Sequence, residues 1–166
     1  MTASLFDDAM AHHIWATEIL IDECARLTPA QLSTPAPGAY GSILDTFRHL
    51  VIADGWYLTF FRDEPQPLAE GSEPDLDEMR AAMTTNGKAW MALLATGLDG
   101  EADSVERGDG WTFHAPTGFR LAQVVQHGTD HRSQICTALT SLGVTPPVID
   151  LWAYGEATGR TRGEND

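Results

Sequence analysis

Two histidines, His127 and His131, lie four residues apart in a stretch whose apolar residues repeat at helical spacing. Side chains at this separation stand one turn apart on the same helix face, so both imidazoles can reach one ligand. The same face carries Val124, Ile135 and Ala138, which directs the pair towards a protein core. Because a neutral imidazole nitrogen binds zinc, nickel, copper or iron, the spacing indicates a metal site.

A third histidine, His49, lies in another apolar helical pattern, on the face of Ile52, Ala53 and Trp56. Each of the three could instead be a core histidine that is hydrogen-bonded to a neighbouring group. Core imidazoles carry polar nitrogens that each cost roughly 1–3 kcal/mol if they stay unpaired. One shared metal would satisfy all three rings, so we favour a metal site.

Two known metal motifs do not fit the sequence. The helix of zinc peptidases carries His-Glu-x-x-His with the glutamate as general base, whereas Gly128 stands at that position here. Di-iron bundles use Glu-x-x-His pairs, a spacing that this chain lacks. A mononuclear site with three nitrogen ligands and an open position remains, and an open position is typical of catalytic sites.

Helix caps and apolar periodicity predict the elements that position these histidines. Four long helices are expected over residues 4–27, 42–61, 75–94 and 119–142, and Gly97 and Gly100 stop the third. Ser42 with Asp45, and Asp75 with Glu78, form the capping pattern of a helix start. Gly143 follows the fourth helix as a left-handed cap.

Shorter elements connect the long helices. Thr28 caps a further helical turn with Pro29 at its first position. The Gly-Asp-Gly turn of residues 108–110 predicts a small β-hairpin before the last long helix. A final turn is expected around residues 150–154. The chain is therefore predicted to be one all-α domain, residues 1–166, with the architecture of a four-helix bundle.

Composition limits the partners and the compartment. The formal net charge is −14, and the ten Lys and Arg do not cluster, which argues against nucleic acid and anionic membranes. No apolar run reaches the about 20 residues of a membrane span, and the acidic N-terminus is unlike a signal peptide, so a cytoplasmic protein is expected. Cys24 and Cys136 lie in apolar helical patterns, which predicts reduced, buried thiols.

Several segments resemble the DinB/YfiT-like metal-binding superfamily over nearly the whole chain and in the order typical of that family. They are His-Ile-Trp-Ala at 13–16, Arg-His-Leu-Val-Ile-Ala-Asp-Gly-Trp at 48–56, Gln-His-Gly-Thr-Asp-His-Arg-Ser-Gln-Ile at 126–135, Leu-Gly-Val-Thr-Pro-Pro at 142–147 and Asp-Leu-Trp-Ala-Tyr at 150–154. The resemblance implies a down-up-up-down bundle and one divalent metal, zinc or nickel, held by His49, His127 and His131. It also implies frequent homodimers and, in some members, transfer reactions that use mycothiol or bacillithiol.

The chain departs from the family pattern at three positions. Ser133 stands where many relatives have Gly, Asp130 where many have His, and His13 where Asn is usual. These changes remove no ligand implied by the resemblance, but they leave the choice of substrate open.

The leading hypothesis is a metal-dependent thiol S-transferase or isomerase acting on a small-molecule substrate. A thiol that enters the open position would lose its proton and become a nucleophile. Neither cysteine lies near the triad, so the thiol should come from a cofactor. The Arg-rich, Lys-poor composition, which hints at a GC-rich genome, favours mycothiol. Two alternatives stay open: a hydrolase that uses a metal-activated water, and a non-enzymatic metal-binding stress protein.

Further residues are candidates for the pocket or for orienting the ligands. Trp56 is expected in the core and could also wall the pocket, because it shares the face of His49. His13 is expected to form a hydrogen bond near the site. Arg132 is expected to pair with Asp54 or another helix acid, with binding of a substrate carboxylate as the less favoured role. Asp130 is expected to be solvated, or else to orient a ligand histidine. Four other side chains are assigned to the core or the surface: Trp15, Trp90, His12 and His114.

Large aromatic side chains cover two adjacent stripes of the second long helix: Trp56, Tyr57, Phe60 and Phe61. A core-facing stripe needs only about 100° of the helix circumference, so part of this surface should face a second subunit. The alternative cover is the acidic, Pro-rich linker of residues 63–74. A homodimer is the favoured expectation.

Overall fold

The computed structural model describes residues 6–35 and 40–164. Within them the elements are α1 Asp7–Cys24, α2 Pro29–Leu32, α3 Ile43–Leu58, α4 Leu76–Leu94, β1 Asp103–Gly108, β2 Trp111–Pro116, α5 Thr117–Ser141 and α6 Leu151–Thr158. The predicted helical class is confirmed, and so is the hairpin before the last long helix. Residues 4–5 of the first predicted helix lie outside the described residues, as do residues 36–39, which precede the second long helix. No helix in the described ranges has the length and apolarity that crossing a membrane requires.

Side-chain caps set the beginnings of α3 and α4, as predicted. The Ser42 hydroxyl accepts a hydrogen bond from the Asp45 N–H at 3.1 Å, and the Asp45 carboxylate accepts one from the Ser42 N–H at 3.2 Å. Asp75 and Glu78 make the same exchange at the start of α4. Because the first N–H groups of a helix have no partner within it, these caps fix where α3 begins and hence where His49 lies.

The four long helices pack around two apolar clusters. α1 contacts α4 and α5, and α3 contacts the same two helices. The larger cluster takes side chains from all four helices: Leu20, Ile21, Cys24, Ile43, Phe47, Val51, Met79, Ala82, Met83, Ile135, Ala138 and Leu139. The smaller cluster comprises Met10, Leu58, Trp90, Leu94, Leu121 and Val124. Because α3 and α5 are in direct contact, histidines on these two helices can meet.

The hairpin leads the chain into α5. It turns between the paired residues Gly108 and Trp111, and Gly110 in the turn has φ +77°, which glycine adopts without steric cost. A Cβ at Gly108 would overlap the Trp111 ring, so a larger residue there would have to displace that ring. β2 ends at Pro116 and α5 begins at the next residue. The hairpin therefore sets the start of the helix that carries His127 and His131.

Three expectations about burial need correction. Trp56, predicted for the core, is 37% exposed, because the face of α3 that it shares with His49 opens on a cleft. Trp15 is half-buried and lies against Tyr154 of α6. Cys136 is half-buried, since it packs at the edge of the larger cluster, whereas Cys24 is buried within it; both cysteines are free. Trp90 is fully buried, as predicted.

The aromatic surface of α3 is smaller than the sequence suggests. α3 ends at Leu58 rather than at residue 61. Phe61 turns inward against Trp90, with ring centroids 5.9 Å apart, and Tyr57 packs partly buried against the smaller cluster. The homodimer stays a prediction, and Trp56 is the aromatic residue of this group that is exposed.

The cap of α3 has a measurable contribution to stability. We expect Ser42→Ala to lower the free energy of unfolding by about 1 kcal/mol, because an N–H of the first turn loses its acceptor. Urea unfolding of purified protein measures the change. Ser133→Ala, at an exposed position inside α5, is the matched control and should leave the free energy unchanged or slightly raised. Equal values for the two variants would contradict a role of the cap.

Candidate metal centre

α3 and α5 bring the three predicted ligands together. Nε2 of His127 lies 3.0 Å from Nε2 of His49 and 3.1 Å from Nε2 of His131. One nitrogen of each ring lies within 4.8 Å of the other two. Nitrogens bound tetrahedrally to one zinc ion at about 2.0–2.1 Å lie ~3.3 Å apart, so small shifts would bring the rings to ligand geometry. The three residues could thus hold one metal ion.

Three neutral imidazole rings cannot form a hydrogen bond in both short nitrogen–nitrogen contacts, that of His49 with His127 and that of His127 with His131. Each imidazole nitrogen carries either one hydrogen or one lone pair. His131 Nδ1 lies 2.8 Å from the Gln134 side-chain oxygen and donates its hydrogen there, which leaves a lone pair on Nε2. His127 Nε2 must then donate to His131, and has no lone pair left for a hydrogen from His49. A cation shared by three lone pairs removes this conflict, so the donor set fits a divalent metal.

The triad lies beside a cleft of about 790 Å³. α3 forms one side of the cleft, the linker of residues 66–73 forms another, and Tyr40 and His127 complete the lining. Binding sites for small molecules typically have volumes of about 300–1,000 Å³. The candidate metal centre is therefore reached from a space that accepts a small organic molecule.

A model of the DinB family matches residues 1–165, which include all three histidines and the elements that carry them. The chain belongs to the DinB family. The resemblance inferred from the sequence motifs is thereby confirmed. Comparison with curated proteins gives no match.

Burial keeps two of the three imidazoles, those of His127 and His49, in the form that binds metals. The pKa of His127 is lowered to about 4, mainly by desolvation and in addition by the neighbouring His131 and His49. Desolvation also lowers the pKa of His49, with His131 as the second cause. Only a neutral imidazole has a lone pair for a metal, so these rings are ready to bind at neutral pH.

Two residues that orient the triad escape sequence reasoning. Gln134 holds His131 by its Nδ1, and its position three residues further on the same helix is a signal that could have found it. Tyr40 stacks on His49 with ring centroids 3.8 Å apart. It lies outside any helix, so no periodicity indicates that it reaches the site.

Trp56 and Asp130 take the roles that their exposure allows. Trp56 lines the cleft beside His49, as the alternative role of a pocket wall predicted. The Asp130 carboxylate is exposed and accepts a hydrogen bond from Gln126 at 3.0 Å, rather than from a histidine. This favours the solvated role of Asp130 over the orienting one.

Arg132 and His13 lie inside the protein. Arg132 is 3% exposed and donates from Nη1 to His13 Nδ1 at 2.8 Å. His13 in turn donates from Nε2 to Asp54 at 2.9 Å. The expected pairing of Arg132 with Asp54 is therefore indirect, because the His13 ring stands between the two charges. The guanidinium is too buried to bind a substrate carboxylate in the cleft.

The lowered pKa of His127 predicts a pH dependence for the metal-free protein. An unfolded chain has histidine pKa values near ~6.5, against about 4 for folded His127. Between these values the unfolded state binds a proton that the folded state does not, so the free energy of unfolding should fall as the pH drops from 6.5 to 4. Urea unfolding across this range measures it, and His127→Phe should reduce the loss. An NMR titration of His127 with a midpoint near the unfolded value would contradict the prediction.

Proposed function

We propose that this DinB protein is an enzyme dependent on zinc or nickel that activates a low-molecular-weight thiol of the mycothiol type for S-transfer or isomerisation. The observation that carries the proposal is the convergence of three imidazole nitrogens, within 4.8 Å of one another, beside a cleft of about 790 Å³. Three nitrogen ligands leave a position for an incoming molecule, which is typical of catalytic metal sites. A bound divalent metal would stabilise the thiolate form of a thiol at neutral pH.

The reactive thiol has to come from outside the chain. Burial raises the pKa of the Cys24 thiol to about 12 and also raises that of Cys136. Both cysteines pack in or against the larger apolar cluster, and neither lines the cleft. Since the thiolate is the nucleophilic form, neither side chain supplies a nucleophile at neutral pH.

The charge of the cleft favours a thiol without carboxylates. Asp45, Glu70 and Glu73 line it, and Arg48 is its only lysine or arginine among the described residues. The Arg48 guanidinium is already engaged, since it donates to the Pro74 carbonyl at 3.1 Å and lies 3.5 Å from Asp45. Glutathione and bacillithiol carry free carboxylates, which this acidic surface repels. Mycothiol carries none and enters without that repulsion.

Aromatic rings give the cleft its apolar contact area. Tyr40, Trp56 and Tyr57 line it together with Ile52 and Ala53. Flat rings and a few polar groups are the usual lining of a small-molecule site, where the rings bury the carbon skeleton of the ligand. These side chains would hold the thiol and its electrophilic partner next to the triad.

Metal analysis tests the first half of the proposal. Purified protein should bind about one divalent ion per chain, and His49→Ala or His127→Ala should lose most of it, because two imidazoles hold a metal far less tightly than three. His114→Ala, on exposed strand β2, is the control and should retain the metal. Wild-type metal content in the double variant His49→Ala, His131→Ala would contradict the triad.

Thermal-shift measurements with mycothiol, bacillithiol and glutathione test the second half. We expect mycothiol to raise the melting temperature of metal-loaded protein only, since a ligand stabilises the state that it binds. In the variant Glu70→Gln, Glu73→Gln, glutathione should gain affinity relative to mycothiol, because repulsion of its carboxylates decreases. If the metal-loaded protein responds to none of the three thiols, the thiol reaction is wrong while metal binding stands.

A further inference from the structure

A buried polar chain connects the two helices that carry the triad. Asp54 lies five residues after His49 on α3, and Arg132 directly follows His131 on α5. His13 of α1 stands between them, accepting from Arg132 Nη1 at 2.8 Å and donating to Asp54 Oδ1 at 2.9 Å. All three members are at most 3% exposed. The chain therefore joins α5 to α1 and α1 to α3 in the protein interior.

The hydrogen bonds of this polar chain fix the tautomer of the His13 ring. A guanidinium can only donate, so Nδ1 accepts and the ring hydrogen is on Nε2, where Asp54 accepts it. The Asp54 carboxylate also accepts from Trp90 Nε1 at 3.1 and 3.2 Å. The charges of Arg132 and Asp54 balance across the neutral ring, which is the condition for burying such a pair. Loss of one member would leave a buried group unpaired, so the three act as a unit.

The His13 ring also packs tightly against the backbone of α5. A Cβ on Gly128 would overlap His13 Nδ1 and would lie 2.8 Å from Arg132 Nη1. Gly128 directly follows His127 and belongs to the helical turn between His127 and His131. Because close-packed groups have no free space to move into, a shift of the ring also shifts this turn.

We propose that Asp54, His13 and Arg132 are positioning residues that set the separation of the three metal-binding nitrogens, although none of them is a ligand. The inference rests on the metal site of the proposed function. The argument concerns the position of α3 along α5, which the network fixes. That position places His49 Nε2 3.0 Å from His127 Nε2. Removal of groups that orient metal ligands typically weakens metal binding by about 10–100-fold.

The competing interpretation is that the network only cross-links the helices and has no influence on the metal. Trp90 offers the matched control for this distinction. It donates to the same Asp54 carboxylate, but from α4, which carries none of the three histidines. Trp90→Phe removes that hydrogen bond and keeps an aromatic ring in the core. It should lower stability without changing the register of α3 against α5.

The experiment uses cobalt(II) as the probe on the wild-type protein and on the variants His13→Leu and Trp90→Phe. His13→Leu removes both hydrogen bonds of the ring, whereas Asn, the usual residue of relatives at this position, could replace them. Competition with a chelator gives the cobalt affinity, visible absorption reports the coordination geometry, and urea unfolding of the metal-free proteins gives stability. We expect His13→Leu to bind cobalt about 10–100-fold more weakly and with an altered spectrum. Trp90→Phe should lose stability but keep the wild-type affinity and spectrum.

Wild-type affinity and spectrum in His13→Leu would overturn the positioning role and leave the metal site intact. If the wild-type protein itself binds no cobalt, the metal site fails and the positioning role fails with it. If His13→Leu does not fold, Gly128→Ala tests the same point, because its methyl group displaces the His13 ring. Weaker binding in Gly128→Ala supports the proposal, and unchanged binding overturns it.

Discussion

The contact between α3 and α5 brings three imidazole nitrogens close together. The hydrogens of the three neutral rings cannot supply a hydrogen bond for each of the resulting short contacts. Nε2 of His127 faces two neighbouring nitrogens but carries either one hydrogen or one lone pair. Protonating the ring does not relieve the conflict at neutral pH, since burial lowers the pKa of His127 to about 4. A divalent cation accepts all three lone pairs. The cap at Ser42, the hairpin that leads into α5 and the hydrogen bond from His131 to Gln134 hold the nitrogens in this arrangement.

Charge acts on the same site over a longer range. The net charge of −14 and the carboxylates that line the cleft attract divalent cations and repel anions. One distribution of charge thus favours metal entry and disfavours ligands with free carboxylates. Arg48 does not offset this effect, because the Pro74 carbonyl and Asp45 engage its guanidinium. The metal and the class of thiol in the proposed function are in this sense consequences of one electrostatic property.

The parts of this structure that the sequence predicts are those that local rules govern. Capping patterns place the starts of α3 and α4, and the four-residue spacing places His127 and His131 on one face. Such rules do not predict contacts between residues that are distant in sequence. His13, for example, lies between Arg132, 119 residues away along the chain, and Asp54, 41 residues away. The exposure of Trp56 escapes them too. Periodicity shows that it shares a face with His49, but not whether a core or a cleft covers that face.

The two ligand-bearing helices offer the proposed reaction no free base, and this constrains the nucleophile. Gly128 stands where zinc-peptidase helices carry their glutamate, and the His13 ring fills the adjacent space. The Asp54 carboxylate is bound by His13 and Trp90, and that of Asp130 is exposed and bonded to Gln126. The third carboxylate on these helices, Asp45, caps α3 and lies 3.5 Å from Arg48. A bound metal would lower the pKa of either nucleophile, but a thiol starts at about 8.5 and water at about 15.7, so the thiol needs the smaller shift. Ligand helices without a free base therefore suit an acidic nucleophile, which is the physical reason to prefer a thiol over water in the proposed function.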